Sequence, residues 1–486
     1  MQRTSLRRHW KTMVVYCGLV AAAGVLVLSC QRKGEPTNQK SPTNNSIAVD
    51  QERVMLVDPG DEPSAFGYYD DILNELDLNP KKLSGQQLVD TTDLRQLLKF
   101  LGYGDLDPKY LEDASSTELM KRFPDDILSA GFFAPKITDV SVAPINPGWR
   151  KVVRFKAKGD ATTEGISTGF LLFNKFQGTT EADYDKAPFG DKSKESKNTQ
   201  LILVKADAST LKYPVYFLVF GPYSEGSKLI TFLTATFDAR APNVVAENKY
   251  YVPNACADCH GGLKGEDVLT PDYEKLKLNY LDTDHWFDRL EDDFVFLKKH
   301  TCGGTAPCAV LYDGGNDESK PEFEQAFAVF RSLNREIKSQ NEKVSPTQSF
   351  QLRAVSQWLE LHETDTRHKD VFARALTPIN PGDPWKADTS PDKDLLPLMN
   401  RYCFRCHSSL RYSIFDRPAV VSRKRKILDF MALDIKDPKK MPQDRNLDCW
   451  LADKEKFLDL VRLLPGPTPS PKPTPSPTCP TSSPSP

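Results

Sequence analysis

Histidine and methionine are scarce, at seven each in 486 residues, and no methionine falls between His260 and Met399. Net charge is scarce too: 64 Lys and Arg face 66 Asp and Glu, a formal balance of −2. That balance excludes the basic footprint of a nucleic-acid binder. No acidic residue precedes Cys30. No Ser-His-Asp order, phosphate-cradling loop or carboxylate pair stands out, so hydrolytic and phosphoryl-transfer chemistry have no support. The stretch 65–136 contains no metal-ligating or catalytic cluster.

Ten cysteines are present. Four fall in two copies of one pattern, Cys256-Ala-Asp-Cys259-His260 and Cys403-Phe-Arg-Cys406-His407. C-x-x-C-H is the attachment signature of a c-type haem. Two thiols three positions apart can each add to one vinyl group of the same porphyrin. The next residue, histidine, then lies beneath the iron as proximal ligand. C-x-x-C alone also serves zinc sites and redox dithiols. The expected cofactors are two covalently attached haem c groups, with Cys256, Cys259, Cys403 and Cys406 as attachment points and His260 and His407 as iron ligands.

Arg3, Arg7, Arg8 and Lys11 form a positive n-region, followed by an almost wholly apolar run from Met13 to Leu28. This reads as a secretory signal. It ends at Val27-Leu28-Ser29-Cys30, which resembles the lipobox of bacterial lipoproteins. The resemblance implies cleavage and lipidation at Cys30, and Gln31 after it implies the outer membrane. The alternative is an uncleaved anchor, for which about 16 apolar residues is short. Both place the chain on the periplasmic side of a bacterial membrane. Loss of the four n-region cations leaves the mature chain near −6. An acidic cytochrome suits a basic redox protein as partner, with the lipid as its membrane contact and no nucleic acid.

The expected fold is α+β and multidomain. Residues 1–29 are the signal and 30–64 a polar, flexible tether. Residues 65–134 carry helical spacing and form a helical subdomain. Residues 135–250 contain five short β-branched and aromatic runs near 151–155, 168–173, 200–204, 215–220 and 229–237, expected to form an antiparallel sheet in a sandwich or curled half-barrel. Tyr250, Tyr251 and Phe237 are candidates for an apolar wall beside the first haem, or are plain sheet core. Residues 251–390 hold the first haem region and a helical spacer, with 272–300 also reading as helix. For the sixth ligand of the first iron the candidates are His285, set in Asp284-His285-Trp286-Phe287, then His300, with His362 and His368 more distant, or a vacant position. His285 is preferred because a neighbouring carboxylate can orient an imidazole. Cys302 and Cys308 flank a turn-rich stretch and are candidates for a small-loop disulfide. Cys449 and Cys479 have no evident partner. Residues 465–486 alternate Pro, Thr and Ser and read as a disordered tail.

Residues 391–464 bring a helix into Cys403-Phe-Arg-Cys406-His407, then a basic Ser422–Lys426 stretch, Met441-Pro442 and a last helix. This order resembles a class I cytochrome c. The resemblance implies that Met441, 34 positions after His407, binds the second iron opposite the histidine. Met431 is expected in the core. The function expected is electron carriage by an exported dihaem cytochrome. The alternative is a haem oxidoreductase with an open first haem. It would be peroxidase-like by the count of two motifs, or hydroxylamine-oxidising by resemblance to cytochromes whose haem is crosslinked to a lysine. Lys175 and Lys205, in expected strands, are the lysines considered for that link.

Overall fold

The computed structural model describes residues 60–134, 148–176, 195–196, 198–206, 212–237, 246–260, 263–264, 270–282, 321–344, 350–364, 371–376, 384–403, 413–433 and 447–466. All belong to one unit, Arg53–Pro486. The signal, the lipidation residue Cys30, most of the tether and nearly all of the tail lie outside the described residues. Among the described residues no helix is long and apolar enough to cross a membrane.

Five short helices come first: α1 (Glu62–Glu75), α2 (Gly85–Thr91), α3 (Leu94–Phe100), α4 (Pro108–Asp113) and α5 (Ser116–Arg122). Asp61, Asp93, Asp107 and Ser115 start α1, α3, α4 and α5, each accepting a first-turn N–H. A five-stranded antiparallel sheet follows, in the order β1 (Ile127–Ala134), β2 (Gly148–Lys156), β3 (Ile166–Phe176), β4 (Thr199–Lys205), β5 (Val215–Phe220). One helical turn, α6 (Asp160–Thr163), joins β2 to β3. β6 (Phe232–Phe237) and β7 (Ala246–Tyr251) make a separate ribbon.

Side chains alternate between the two faces of the sheet. One face carries Lys151, Phe155, Gly169 and Lys205 and is covered by the N-terminal helices. Tyr103 lies 5.0 Å from the Phe155 ring. A Cβ on Gly169 would meet Leu101 at 2.9 Å, so this strand position needs glycine for the helix to approach. The opposite face carries Phe132, Arg154 and Phe217. Here α8 (Pro321–Val344) packs, with Phe330 5.7 Å from Phe132 and Glu336 paired to Arg154 at 3.0 Å. β5 is the edge strand, and α1 covers its outward N–H groups. The Tyr68 and Tyr69 hydroxyls accept from Phe217 N–H (2.9 Å) and Val219 N–H (3.3 Å), and Tyr69 donates on to the Ile230 carbonyl at 2.8 Å.

The α+β class stands, but the sheet differs from expectation in two ways. Among the described residues helices, not a second sheet, cover both faces, unlike the expected sandwich. Its first strand is Ile127–Ala134, inside the stretch expected to be helical, while the run at 229–237 leaves the sheet for the ribbon. Ile-Leu-Ser-Ala-Gly-Phe-Phe-Ala is weakly β-prone, and its strand state comes from pairing with β2 along its whole length.

After the ribbon come α7 (Asn254–His260), a two-residue pair β8 (Leu263–Lys264) and β9 (Thr270–Pro271), and an extended run to Asp282. The helix expected from 272 is therefore absent over 276–282. α8 and α9 (Phe350–His362) pack as a pair, then α10 (Val371–Leu376). A second core is built by α11 (Asp392–Tyr402), α12 (Arg417–Ser422), α13 (Lys424–Ala432) and α14 (Leu447–Leu463), joining Leu395, Leu396, Met399, Ile427, Met431, Phe457 and Val461. Asp453 ties α14 to α11 by accepting from Tyr402 (2.6 Å) and Arg401 (2.9 Å).

Lys151 is fully buried, and its ammonium donates to the carbonyls of Leu111, Glu112 and Ala114 at the negative end of α4. Lys151→Met strands those carbonyls, so we expect a loss of about 3 kcal/mol of stability. Lys212→Ala removes an exposed ion pair to Asp71 and is expected to change stability by less than about 0.5 kcal/mol. Denaturant unfolding of both variants checks the contrast.

Candidate haem-attachment sites

The first C-x-x-C-H occupies α7. Its entry is fixed on several sides. Val252 N–H donates to the Thr231 carbonyl at 2.9 Å, and the Pro253 carbonyl accepts from Cys256 and Ala257. Asn254 accepts from the Tyr273 hydroxyl. Gly60, at φ +71°, approaches so closely that a Cβ would sit 2.9 Å from the Asn254 amide. Ala255, Cys256 and Ala257 are buried, and small residues there let the helix lie flat against its neighbours.

His260 closes the helix. Its Nδ1 lies 2.8 Å from the Lys277 carbonyl, while Lys277 N–H donates to the His260 carbonyl at 3.0 Å. A carbonyl only accepts, so Nδ1 carries the proton and Nε2 keeps its lone pair. Burial pushes the imidazole pKa down to about 4, with the Lys277 bond opposing and Arg150 adding to the fall. A neutral ring with Nδ1–H anchored and Nε2 open is the form a metal ligand needs. The Phe217 ring, from β5, lies 4.5 Å from the His260 ring. The aromatic ring beside His260 is therefore supplied by the middle of the edge strand. Of the expected wall residues, Tyr251 packs on Phe232 at 5.9 Å, and the Phe237 and Tyr250 side chains lie outside the described residues. Tyr68, 5.9 Å from Tyr273, is electrostatically coupled to Cys256, and burial holds its hydroxyl well above the usual phenol range.

The donors fit a covalently held porphyrin: a buried thiol at Cys256, a helix turn, and one imidazole presented by Nε2. The Cys259 side chain lies outside the described residues. Among the described residues no three His, Cys, Asp or Glu side chains converge as a metal cluster. A haem asks the protein for only one or two axial ligands, so it needs no such cluster.

Lys205 does not face this site. It lies on the opposite face of the sheet, bonded to Glu75 at 2.7 Å and set over the Tyr216 ring at 4.7 Å. Lys205, one of the two lysines considered for a haem link, is thus held on the face away from His260. The Lys175 side chain lies outside the described residues. His362 is buried between Phe327 (5.2 Å) and Trp358 (4.7 Å). Phe327 sits fourteen residues before Asn341, which binds Leu278 beside Lys277. The two levels are about 21 Å apart along α8. His285, His300, His368, Cys302 and Cys308 lie outside the described residues.

At the second motif, Cys403 is buried just past the end of α11, its N–H donating to the Met399 carbonyl at 2.8 Å. Cys406, His407 and Met441 lie outside the described residues, as does Cys479; for Cys449 only the helical backbone is described. Met431 is core, as expected. The basic stretch is partly spent inside the molecule. Lys424 donates to the Arg462 and Leu464 carbonyls, closing the end of α14, and Arg423 donates to the Ala419 carbonyl. Of the four basic residues in that stretch, Arg425 and Lys426 are exposed.

The motif marks His260 as a candidate ligand but gives no sign of the residue that holds its ring. Lys277 contributes only its backbone, so no side-chain signal marks it. In a Cys256→Ala/Cys259→Ala chain, which cannot attach haem at this site, His260 is expected to stay neutral down to about pH 4. Because its folded pKa lies below the unfolded value, that chain is expected to lose stability as pH falls from about 6.5 towards 4. Histidine NMR titration, with unfolding at several pH values, checks both. The chain matches no family model, no curated protein and no solved structure.

Proposed function

We propose that this is an exported, membrane-anchored dihaem c-type cytochrome that carries electrons between redox proteins. One observation carries the reading: the histidine of the first C-x-x-C-H is half-buried, neutral and fixed through Nδ1–H to the Lys277 carbonyl, with Nε2 left for iron. Haem iron supplies a one-electron couple when bound. The chain's own residues do the rest. Cys256 and Cys259 hold the porphyrin edge, His260 binds the iron, and Phe217 with the alanines of α7 keeps water from the ring.

The second site is assigned to Cys403, Cys406, His407 and Met441, in a class I cytochrome c-like unit. The α11–α14 pair, pinned through Asp453, supports that assignment. Met441 would hold the second iron and His285 the first, and methionine ligation would raise the second potential relative to the first, so that the two haems are poised differently. Cys30 is the lipid anchor on the periplasmic side, with the outer membrane as destination.

Absorption and low-temperature EPR spectra of the matured protein test this, with Met441→Ala beside it and a carbon monoxide titration. We expect two low-spin haems per chain, neither binding carbon monoxide, and loss of the methionine-to-iron band in the variant. A parent protein with a high-spin haem that binds carbon monoxide is an enzyme-like cytochrome instead, to be assayed with peroxide and hydroxylamine.

A further inference from the structure

The segment Leu276–Asp282 forms no helix and no strand ladder, yet much of it is buried. Side chains of α8 complete its backbone bonding. Asn341 accepts from Leu278 N–H (3.0 Å) and donates to the Leu278 carbonyl (2.8 Å). Asn334 does the same for Leu281, at 2.8 and 2.9 Å. These two asparagines stand seven residues apart, two turns along one face of the helix. Lys277, the residue that holds His260, lies at one end of this segment. At the other end Asp282 accepts from the Tyr280 hydroxyl (2.6 Å) and from Arg374 of α10 (2.5 Å). Arg374 also reaches the Tyr280 oxygen at 3.0 Å, and its guanidinium lies 4.5 Å from the Phe415 ring centroid. Tyr280 packs against both hydrophobic cores.

We infer that Arg374, a residue of the second core, is a positioning residue for the first haem: through Asp282 and the segment Leu276–Asp282 it keeps the Lys277 carbonyl on His260. The inference rests on the haem reading above. Arg374 and Asp282 keep only 1% and 7% of their side-chain exposure, so no water replaces either partner when the other is lost. Loss of one partner therefore slackens the segment. A bond from Nδ1–H to a carbonyl makes imidazole a stronger donor to iron and favours the ferric state. Slackening weakens that bond, and the first haem becomes easier to reduce.

The test is redox titration of the full-length matured protein, with haem counted per chain first. The couple of the first haem is identified as the one displaced by Phe217→Leu, since that ring lies against His260. Arg374→Met and Asp282→Asn are both expected to raise that couple, by about tenfold in the ferric–ferrous equilibrium, or about 59 mV for one electron. Tyr280→Phe is expected to raise it by a smaller step, and decides the question if Arg374→Met does not mature. Arg374→Lys is expected to restore most of the parent value. A bare charge effect gives opposite signs, because removing the cation lowers the potential and removing the anion raises it. Opposite signs, or an unmoved first couple, overturn the inference. A parent chain carrying fewer than two covalent haems overturns the haem reading itself, and the count reveals this before any variant is titrated.

Discussion

A buried stretch of chain without a ladder must find partners for its peptide groups elsewhere, and Leu276–Asp282 is such a stretch. Its solution shapes the region around the first motif. Asn334 and Asn341 present side-chain amides that act as the missing edge of a strand, so α8 must run alongside the segment in a fixed register. Once the segment is set, the Lys277 carbonyl is set, and with it the tautomer and tilt of His260. A C-x-x-C-H helix alone would leave its imidazole free to turn about two side-chain bonds. Here the ring orientation is decided by backbone seventeen residues downstream.

The sheet makes that arrangement possible by being buried on both sides. β5 is wholly apolar, and β4 and β5 are almost wholly inaccessible, as a doubly covered sheet requires. The N-terminal helices cover one face, so the other can be given to α7 and α8. The same helices close the β5 edge: two tyrosine hydroxyls serve the outward N–H groups of Phe217 and Val219. Phe217 thus has its main chain held by α1 and its ring placed on His260. The described N-terminal helices thereby fix the ring that lies beside His260.

What could be read in the sequence follows from how local each signal is. Strands β2 to β5 were legible because each is a run of β-branched and aromatic residues. The helices α8, α9, α11 and α14 were legible from apolar spacing, and His260 from a motif in which chemistry dictates spacing. β1 was not, since its strand state comes from pairing with partners 14 to 28 residues further along the chain. The extended Leu276–Asp282 segment was misread as helix because Leu276, Tyr280 and Leu281 fall at helical intervals. Their burial is instead against two cores, and the asparagines that make this affordable lie over fifty residues on. The wall was sought in Tyr250, Tyr251 and Phe237, the aromatics nearest the motif in sequence. The ring that the described residues place on His260 is Phe217, which the sheet brings up from the edge strand.

The Arg374–Asp282 pair poses an energetic question that packing alone does not answer. Taking both charges out of water costs several kcal/mol per ion, and an apolar pair of the same volume would be as stable or more so. What an apolar pair would not supply is register. Leucine against methionine can slide by a fraction of an ångström with little penalty, whereas an ion pair in a low-dielectric setting has one geometry and no solvent to substitute for it. Tyr280 shares the same carboxylate oxygen and also touches the guanidinium, which narrows that geometry further. The place where this is used is telling. Five residues upstream, a shift of a fraction of an ångström is the difference between a good and a poor hydrogen bond on His260. A charge pair is an expensive way to join two cores and an effective way to hold a carbonyl still.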